Sequence, residues 1–177
     1  MEVTRNLDCN TIEGKKFIRS QRETGFLIEK LLNVRVEHTT DDAEKFDCYM
    51  YSNHDSSLMG VAEIKTRPFW SRQYQTPCTL DKIKWDGYLI TAEKLDILSA
   101  QSRKRRVSSF IFVNLPNDSP KKILSFEVSK ADGKFLFNFY RRVTTTRYSC
   151  NDFKGNVNRS NAFLPIRGNK YFKSYNY

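Results

Sequence analysis

The segment 60–67, GVAEIKTR, combines the alternation of a β-strand with charged side chains on one face. Successive side chains along a strand point to opposite faces of the sheet. Glu63, Lys65 and Arg67 therefore share one face, and the apolar Ile64 lies on the other. A solvated, ion-paired strand face is common, so the alternation alone does not establish a site. It predicts a strand that either borders solvent or brings charged groups into a functional cleft.

The residue patterns around this segment predict a mixed α/β (α+β) architecture. Apolar side chains at helical spacing indicate a first helix within residues 1–34 and a second at 79–101. Three short runs with strand character lie between these helices, at 34–38, 46–51 and 60–66. SSFIFVNL at 108–115 follows the second helix and is typical of a buried strand. This α-β-β-β-α-β order predicts a mixed central sheet flanked by helices.

The C-terminal part of the chain is predicted to extend the sheet. Runs 121–130 and 134–143 alternate like strands, whereas the chain past residue 148 is polar, basic and aromatic without a clear period. A length of 177 residues suits one domain. We therefore expect a single domain over 1–177, with a core from about 17 to 115. Residues 116–177 would form extra strands and an irregular basic tail.

Charge and composition indicate the class of partner. The net charge is +10, from 30 Lys and Arg against 20 Asp and Glu. An excess of positive charge favours nucleic acid, because each neutralised phosphate releases bound counterions. No apolar run approaches the length of about 20 residues that spans a membrane, and no signal peptide or basic amphipathic helix is evident. These observations predict a cytoplasmic protein that binds nucleic acid and no membrane.

Cysteine and histidine do not provide a pattern for other chemistries. The four cysteines, at positions 9, 48, 78 and 150, form no CxxC pair and have no zinc-finger spacing to a histidine. The two histidines have no sequence context that indicates a nucleophile. Reduced thiols and a chemistry without histidine are the expectation.

Carboxylates on two neighbouring strands suggest a metal-dependent hydrolase. Mg²⁺ prefers oxygen ligands and keeps several waters, so Asp47 and Glu63 suffice to hold it together with a substrate phosphate. The backbone carbonyl of Ile64, between the two charged side chains of the strand, is a natural further ligand. Lys65 would contact the attacking water, help its deprotonation and stabilise charge on the phosphate. Mn²⁺ is expected to substitute for Mg²⁺.

The residues FDC at 46–48 and AEIK at 62–65, with 15 residues between Asp47 and Glu63, resemble the PD-(D/E)xK nuclease superfamily. In that family the aspartate opens the second strand of the core, and the E-x-K motif with an apolar middle residue lies on the third. Phe46 stands where the family usually has proline. The resemblance covers roughly residues 17–115 and implies a restriction-endonuclease-like fold.

The resemblance also implies two further site residues. Many relatives have an acidic residue on the first helix that assists metal binding, and Glu29 is the preferred candidate here, with Glu23 as the competitor. Glu23 has an alternative role in a helix-capping box with Ser20. Some relatives send a polar or basic group from the helix after the third strand, and Lys84 is the candidate. Its alternative is a lysine at the edge of an apolar stripe whose ammonium reaches solvent.

A basic and aromatic segment follows the E-x-K motif directly. Arg67 and Arg72 are positioned to bind nucleic acid, and Phe69, Trp70 and Tyr74 to stack on its bases. The same aromatic residues equally suit packing of the loop onto the sheet.

The sequence therefore predicts a Mg²⁺-dependent nuclease with DNA as the preferred substrate and RNA as the alternative, and both endonuclease and exonuclease activity stay open. Two alternatives belong to other classes: a nucleic-acid-binding module that has the same fold without turnover, and a structural basic protein with no site. Cutting two strands with one site per chain often requires a second copy, so a homodimer is an option.

Overall fold

The computed structural model describes residues 12–39, 44–71, 74–147 and 156–177. Within these ranges the chain forms three helices and eleven strands. The helices are α1 (Ile12–Leu32), α2 (Leu80–Ile83) and α3 (Ala92–Arg105). The strands are β1 (Val34–His38), β2 (Cys48–Ser52), β3 (Leu58–Thr66), β4 (Phe69–Ser71), β5 (Thr76–Pro77), β6 (Tyr88–Thr91), β7 (Ser108–Leu115), β8 (Lys122–Ser129), β9 (Tyr140–Arg147), β10 (Asn156–Leu164) and β11 (Phe172–Asn176).

A six-stranded sheet in the order β1-β2-β3-β7-β8-β11 forms the centre of the molecule. Strands β3 and β7 are parallel, and every other neighbouring pair is antiparallel. The fold is therefore α+β with a mixed central sheet, as the sequence predicts. The three strands β1 to β3 form the expected antiparallel meander, and β7 occupies 108–115 as predicted.

Helices α1 and α3 cover opposite faces of this sheet. Ile64 of β3 packs in one hydrophobic cluster with Ile28 of α1. Val61 of the same strand packs in another cluster with Leu95 of α3. The alternation in GVAEIKTR thus assigns the side chains correctly: the face of Val61, Glu63 and Lys65 is the α3 face.

Gly60 allows β3 to lie close to β7. A Cβ atom at this position would be 2.7 Å from the ring of Phe110 and 2.9 Å from the carbonyl oxygen of Ser108. Such contacts are too short for any side chain, so glycine permits the approach of the two strands. This parallel pair aligns Glu63 with Ile111 and places the E-x-K segment inside the sheet.

The predicted helix at 79–101 is wrong over its first part. The chain forms only the single turn α2, reverses at Gly87, continues as strand β6, and begins α3 at Ala92. Gly87 has a φ of 83°, and a Cβ there would lie 2.6 Å from the carbonyl oxygen of Leu164. A glycine at positive φ ends a helix, because other residues adopt this conformation only at a cost.

The C-terminal region is more regular than the sequence predicts. Strands β9 and β10 form a second sheet with β6, in the order β6-β10-β9, and β11 pairs with β8 at the edge of the central sheet. The predicted strand at 134–143 is displaced to β9, and the predicted irregular tail contains β10 and β11. Strands β10 and β11 are rich in polar side chains, so a search for alternating hydrophobic residues does not identify them. In the described ranges no helix is long and apolar enough to span a membrane.

Candidate active site

Asp47 directly precedes β2 and is attached to β3 by two hydrogen bonds. Its backbone N–H donates to the carbonyl oxygen of Ala62, at 3.1 Å. Its side-chain Oδ2 accepts a hydrogen bond of 2.7 Å from the backbone N–H of Ile64. The regular β2–β3 pairing ends one residue away, at Cys48 and Ala62. The carboxylate of Asp47 therefore replaces the next strand partner and is fixed beside the E-x-K segment.

Glu63 is completely buried, and two lysines surround its carboxylate. Oε1 lies 2.5 Å from Nζ of Lys65 and 3.0 Å from Nζ of Lys94. Lys94 also donates hydrogen bonds to Oε2 of Glu63 (3.2 Å) and to the backbone carbonyl of Lys45 (3.1 Å). A buried carboxylate stays ionised only when cations and hydrogen bonds compensate its charge. The two ammonium groups provide this compensation on the solvent side, since their side chains are 24% and 32% exposed.

Two cations lie against Oε1 of Glu63. The atom is buried, and Nζ of Lys65 and Nζ of Lys94 are 2.5 and 3.0 Å from it, although neither contact has the geometry of a regular hydrogen bond. An ionised carboxylate has about four lone-pair sites, so these contacts leave room for a further ligand on the same group. The pair Asp47 and Glu63 therefore fits a divalent cation.

The pKa of Asp47 supports this interpretation. It is raised to about 6, mainly by burial and next by the negative charge of Glu63. The positive charges of Lys65 and Lys94 oppose the rise, as does the hydrogen bond from Ile64. A carboxylate whose proton affinity is raised by a neighbouring negative charge gains from a cation bound beside it.

Lys65 retains its proton in this environment. Burial alone would lower the pKa of Lys65, but the charges of Glu63 and Asp47 outweigh burial and raise it above the ordinary lysine value. A lysine that takes a proton from water requires a lowered pKa. Lys65 thus provides a positive charge beside the two carboxylates, and its role in deprotonation stays a prediction.

The backbone of Ile64 presents a further oxygen on the same side. In an extended strand the N–H and C=O of one residue point to the same neighbouring strand. The N–H of Ile64 points to Asp47, to which it donates. The carbonyl oxygen of Ile64 therefore faces the side of β3 on which Asp47 lies, as a third ligand requires.

Glu29, expected to be the metal ligand from the first helix, lies elsewhere. Its Oε1 accepts a hydrogen bond of 2.8 Å from the backbone N–H of Val36 and so connects α1 to β1. Val36 is opposite Met50, and Met50 is opposite Gly60, three residues before Glu63 on β3. Glu29 is thus bound to the second strand from β3, at a level three residues, or about 10 Å along the strand direction, away from Glu63.

The N-terminal half of α1 is the part that approaches the end of β3. The hydroxyl of Ser20 donates to Oγ1 of Thr66 at 2.8 Å, and Nζ of Lys65 lies 5.9 Å from the centre of the Phe17 ring. Since α1 begins at Ile12, Ser20 is inside the helix and no capping box forms there. Glu23, the competing acid, is exposed.

Lys94 occupies the position expected for Lys84. Lys84 follows α2 and forms an exposed ion pair with Asp81 at 2.7 Å. Lys94 lies in the first turn of α3 and contacts Glu63. The sequence pattern did not identify Lys94, because it predicts one continuous helix over 79–101. The helix that carries Lys94 begins at Ala92. The segment TAEK, with a helix start after the strand YLIT, was the signal that could have identified it.

Arg67 and Arg72 were expected to bind nucleic acid. Arg67 extends from the end of β3, and its Nε donates to the hydroxyl of Tyr88 at 3.2 Å. Its side chain lines the cavity described below. Arg72 lies outside the described residues.

The described residues include no cluster of three or more His, Cys, Asp or Glu side chains with the geometry of a metal site. The candidate site is thus a set of two carboxylates and a backbone carbonyl. Mg²⁺ is commonly held by one or two carboxylates, and waters and substrate phosphate complete the shell. No protein-family model, curated protein or solved structure matches the chain. The chemistry of Asp47, Glu63, Lys65 and Lys94 is therefore the basis on which function is inferred.

Proposed function

We propose that this protein is a Mg²⁺-dependent nuclease that hydrolyses phosphodiester bonds in DNA, with Mn²⁺ as an effective substitute. One observation carries the proposal. The fully buried carboxylate of Glu63 lies near Asp47, whose pKa its charge helps to raise, and Nζ of Lys65 and Nζ of Lys94 lie 2.5 and 3.0 Å from its Oε1. Metal-dependent phosphodiester hydrolysis requires such a combination of acidic ligands and a nearby positive charge.

Each residue has a distinct role in this proposal. Asp47, Glu63 and the carbonyl of Ile64 would hold the metal, which when bound supplies Lewis acidity and lowers the pKa of water. Lys65, protonated beside Glu63, is positioned to stabilise negative charge that develops on the phosphate. Lys94 holds the Glu63 carboxylate in place through both of its oxygens. Lys94 is therefore a positioning residue.

The order of elements supports a restriction-endonuclease-like fold. Helix α1, the meander β1 to β3, helix α3 and the strand β7 follow the α-β-β-β-α-β order of that fold. Strand β7 pairs in parallel with β3, the strand that carries E-x-K. Together with the FDC and AEIK motifs, this arrangement favours membership of the PD-(D/E)xK superfamily. Elements β4, β5, α2 and β6 would then be an insertion before α3.

The charge of the protein supports a nucleic-acid substrate. The net charge is +10, and Arg67 continues the charged face of β3 from Lys65 toward solvent. A cation directly after the strand of the proposed catalytic lysine is placed to hold the substrate backbone.

One observation favours a second candidate, a DNA-binding module without turnover. Lys65 and Lys94 together balance the charges of Glu63 and Asp47 in the metal-free state. A cluster of this composition is also stable as a structural ion network. The two candidates differ in whether the protein cleaves DNA when a divalent metal is present.

A plasmid-nicking assay separates these candidates. The parent protein is expected to cleave in Mg²⁺ and in Mn²⁺ and to be inactive in EDTA. Asp47→Asn should be inactive in both metals, whereas the matched control Asp81→Asn removes an exposed carboxylate and should cleave like the parent. Activity that persists in EDTA, or no cleavage of duplex, single-stranded or branched DNA with either metal, would contradict the nuclease proposal.

A further inference from the structure

A cavity of about 750 Å³ lies between the end of β3 and the sheet formed by β6, β10 and β9. Arg67 and the β4 residues Phe69 and Trp70 line one side, and residues of β6, β9 and β10 line the other. Its volume falls within the range of about 300–1,000 Å³ that is typical of ligand-binding cavities. The cavity plays no part in the metal chemistry described above.

Aromatic rings line this cavity and remain accessible at its rim. Trp70 is 54% exposed and Tyr140 is 64% exposed, although both are large apolar side chains. Phe163 and the buried Tyr88 contribute further rings to the wall. Large aromatic side chains that line a concave site without being covered are suited to stack on another flat group.

Two arginines add positive charge to the aromatic wall. The guanidinium of Arg142 lies 5.4 Å from the centre of the Phe163 ring, and that of Arg67 lies 5.8 Å from the centre of the Tyr88 ring. Arg142 and Tyr140 are two residues apart on β9, so they project from the same face. Stacking surfaces combined with arginines are the composition with which proteins hold single-stranded nucleic acid.

The cavity is adjacent to the proposed catalytic group. Arg67 directly follows β3 and is two residues after Lys65, which corresponds to about 7 Å of extended chain. Asp86 also lines the cavity. A carboxylate repels phosphate but accepts hydrogen bonds from the amino groups of bases. The cavity therefore suits the bases of a strand whose phosphates follow Arg67 and Lys65.

We propose that this cavity binds one or two unpaired nucleotides of the DNA strand next to the cleaved phosphate. The substrate is then DNA with a single-stranded segment at the cleavage position, because bases inside a duplex cannot reach aromatic faces in a concave site. This inference rests on the proposed nuclease function for the position of the cleaved bond. The binding of unpaired nucleotides is testable without cleavage.

Tryptophan fluorescence tests the proposal at the cavity itself. The chain has two tryptophans, Trp70 and Trp85. In the Trp85→Phe protein, Trp70 is the only fluorescent tryptophan and reports on the cavity. The Trp70→Phe protein is the control. Its remaining tryptophan, Trp85, stacks with Arg167 and does not line the cavity. Each protein is titrated in EDTA with a single strand of about 12 nucleotides and with a blunt duplex of the same sequence. The single strand should quench Trp70 at a lower concentration than the duplex and should change Trp85 little.

Affinity measurements on matched variants complete the test. Trp70→Ala and Arg142→Ala are expected to weaken single-strand binding roughly 5- to 100-fold, the usual effect of losing one stacking contact. Arg35→Ala is the control, since it removes an exposed arginine that is stacked on Tyr51 of the edge strand pair β1–β2. The control should change affinity by less than about 2-fold.

The outcomes separate this inference from the nuclease proposal. Equal affinity for single strand and duplex, or Trp70→Ala and Arg142→Ala proteins that bind single strand as the parent does, would overturn the inference even if DNA is cleaved. Selective quenching of Trp70 in a protein that cleaves no DNA would support the cavity as a single-strand site and reject the nuclease proposal.

Discussion

Nζ of Lys94 lies 3.0 Å from Oε1 and 3.2 Å from Oε2 of Glu63, although 31 positions separate the two residues in the chain. Helix α3 thus places the ammonium group of Lys94 against a carboxylate inside the central sheet. Lys94 spans both oxygens, so it fixes the orientation of the carboxylate that is proposed to hold the metal. A group that orients a ligand influences activity without contacting the substrate.

Replacing Lys94 by alanine should reduce cleavage at saturating Mg²⁺ by about 10- to 100-fold, the usual effect of losing a residue that orients a metal ligand. Mn²⁺ should bind at least as tightly as in the parent protein, because a competing positive charge is removed. Lys94→Arg should recover part of the activity. Lys84→Ala, the matched control, removes a lysine that pairs with the exposed Asp81 and should have no effect. Cleavage by Lys94→Ala at the parent rate would contradict this role.

Lys65→Ala should leave the metal bound and lower cleavage by on the order of 100-fold, the scale of losing one electrostatic group in a transition state. If Lys65 acts only through its positive charge, arginine at this position should recover roughly 10-fold over alanine. Single-turnover rates with saturating Mn²⁺ provide the measurement. Arginine that is as inactive as alanine would indicate that the proton of Lys65 is transferred during the reaction.

Asp47→Asn should stabilise the metal-free protein while it abolishes cleavage. The pKa of Asp47 is raised to about 6 from 3.8, so the folded protein binds this proton more tightly than the unfolded chain. Ionisation of Asp47 therefore destabilises the fold as the pH rises through this interval. Asparagine retains an acceptor for the N–H of Ile64 without the charge.

Urea unfolding in EDTA measures this effect. The variant should exceed the parent by roughly 1–3 kcal/mol at about pH 8, and the difference should disappear at about pH 4. Asp81→Asn, which alters an exposed carboxylate, should not show this pattern. Equal stability of Asp47→Asn and parent at pH 8 would contradict the destabilising charge.

Asn114→Ala should destabilise the protein through a buried polar network between α1 and the sheet. Nδ2 of Asn114 donates to Oγ1 of Thr24 at 3.1 Å, and its Oδ1 accepts from the hydroxyl of Tyr177 at 2.6 Å. Alanine at position 114 removes both hydrogen bonds. The fully buried Thr24 then loses the hydrogen bond that it accepts from Asn114. The expected cost in unfolding free energy is roughly 1–3 kcal/mol, against about 0.5–1.5 for Tyr177→Phe. A cost for Asn114→Ala below that of Tyr177→Phe would argue against the network.

Sequence patterns were sufficient to predict the central part of the fold. The alternation in 60–67 predicted correctly that Glu63 and Lys65 share the face opposite Ile64, since strand periodicity is fixed by backbone geometry. The order of strands also placed Asp47 next to the E-x-K segment, because consecutive strands of a meander pair with each other. These inferences depended on local geometry alone.

Features that depend on tertiary packing were not accessible in this way. Lys94 was missed because the stripe from Leu80 to Leu98 fits a helix, whereas contact of Gly87 with the backbone of Leu164 interrupts it. Glu29 has the helical position expected of a ligand, but the direction of α1 across the sheet brings it to β1. Strand β10 depends on pairing with β6 and β9, and its polar sequence does not show this.

The binding of Mn²⁺, measured by isothermal titration calorimetry, tests most directly whether Asp47 and Glu63 form a metal site. The parent protein should bind Mn²⁺ with saturable heat, and Asp47→Ala and Glu63→Ala should lose most of that affinity, because each removes one carboxylate ligand. Asp81→Ala should bind as the parent does. If the parent shows no saturable heat, or if Asp47→Ala and Glu63→Ala bind Mn²⁺ as tightly as the parent, the two carboxylates are not metal ligands.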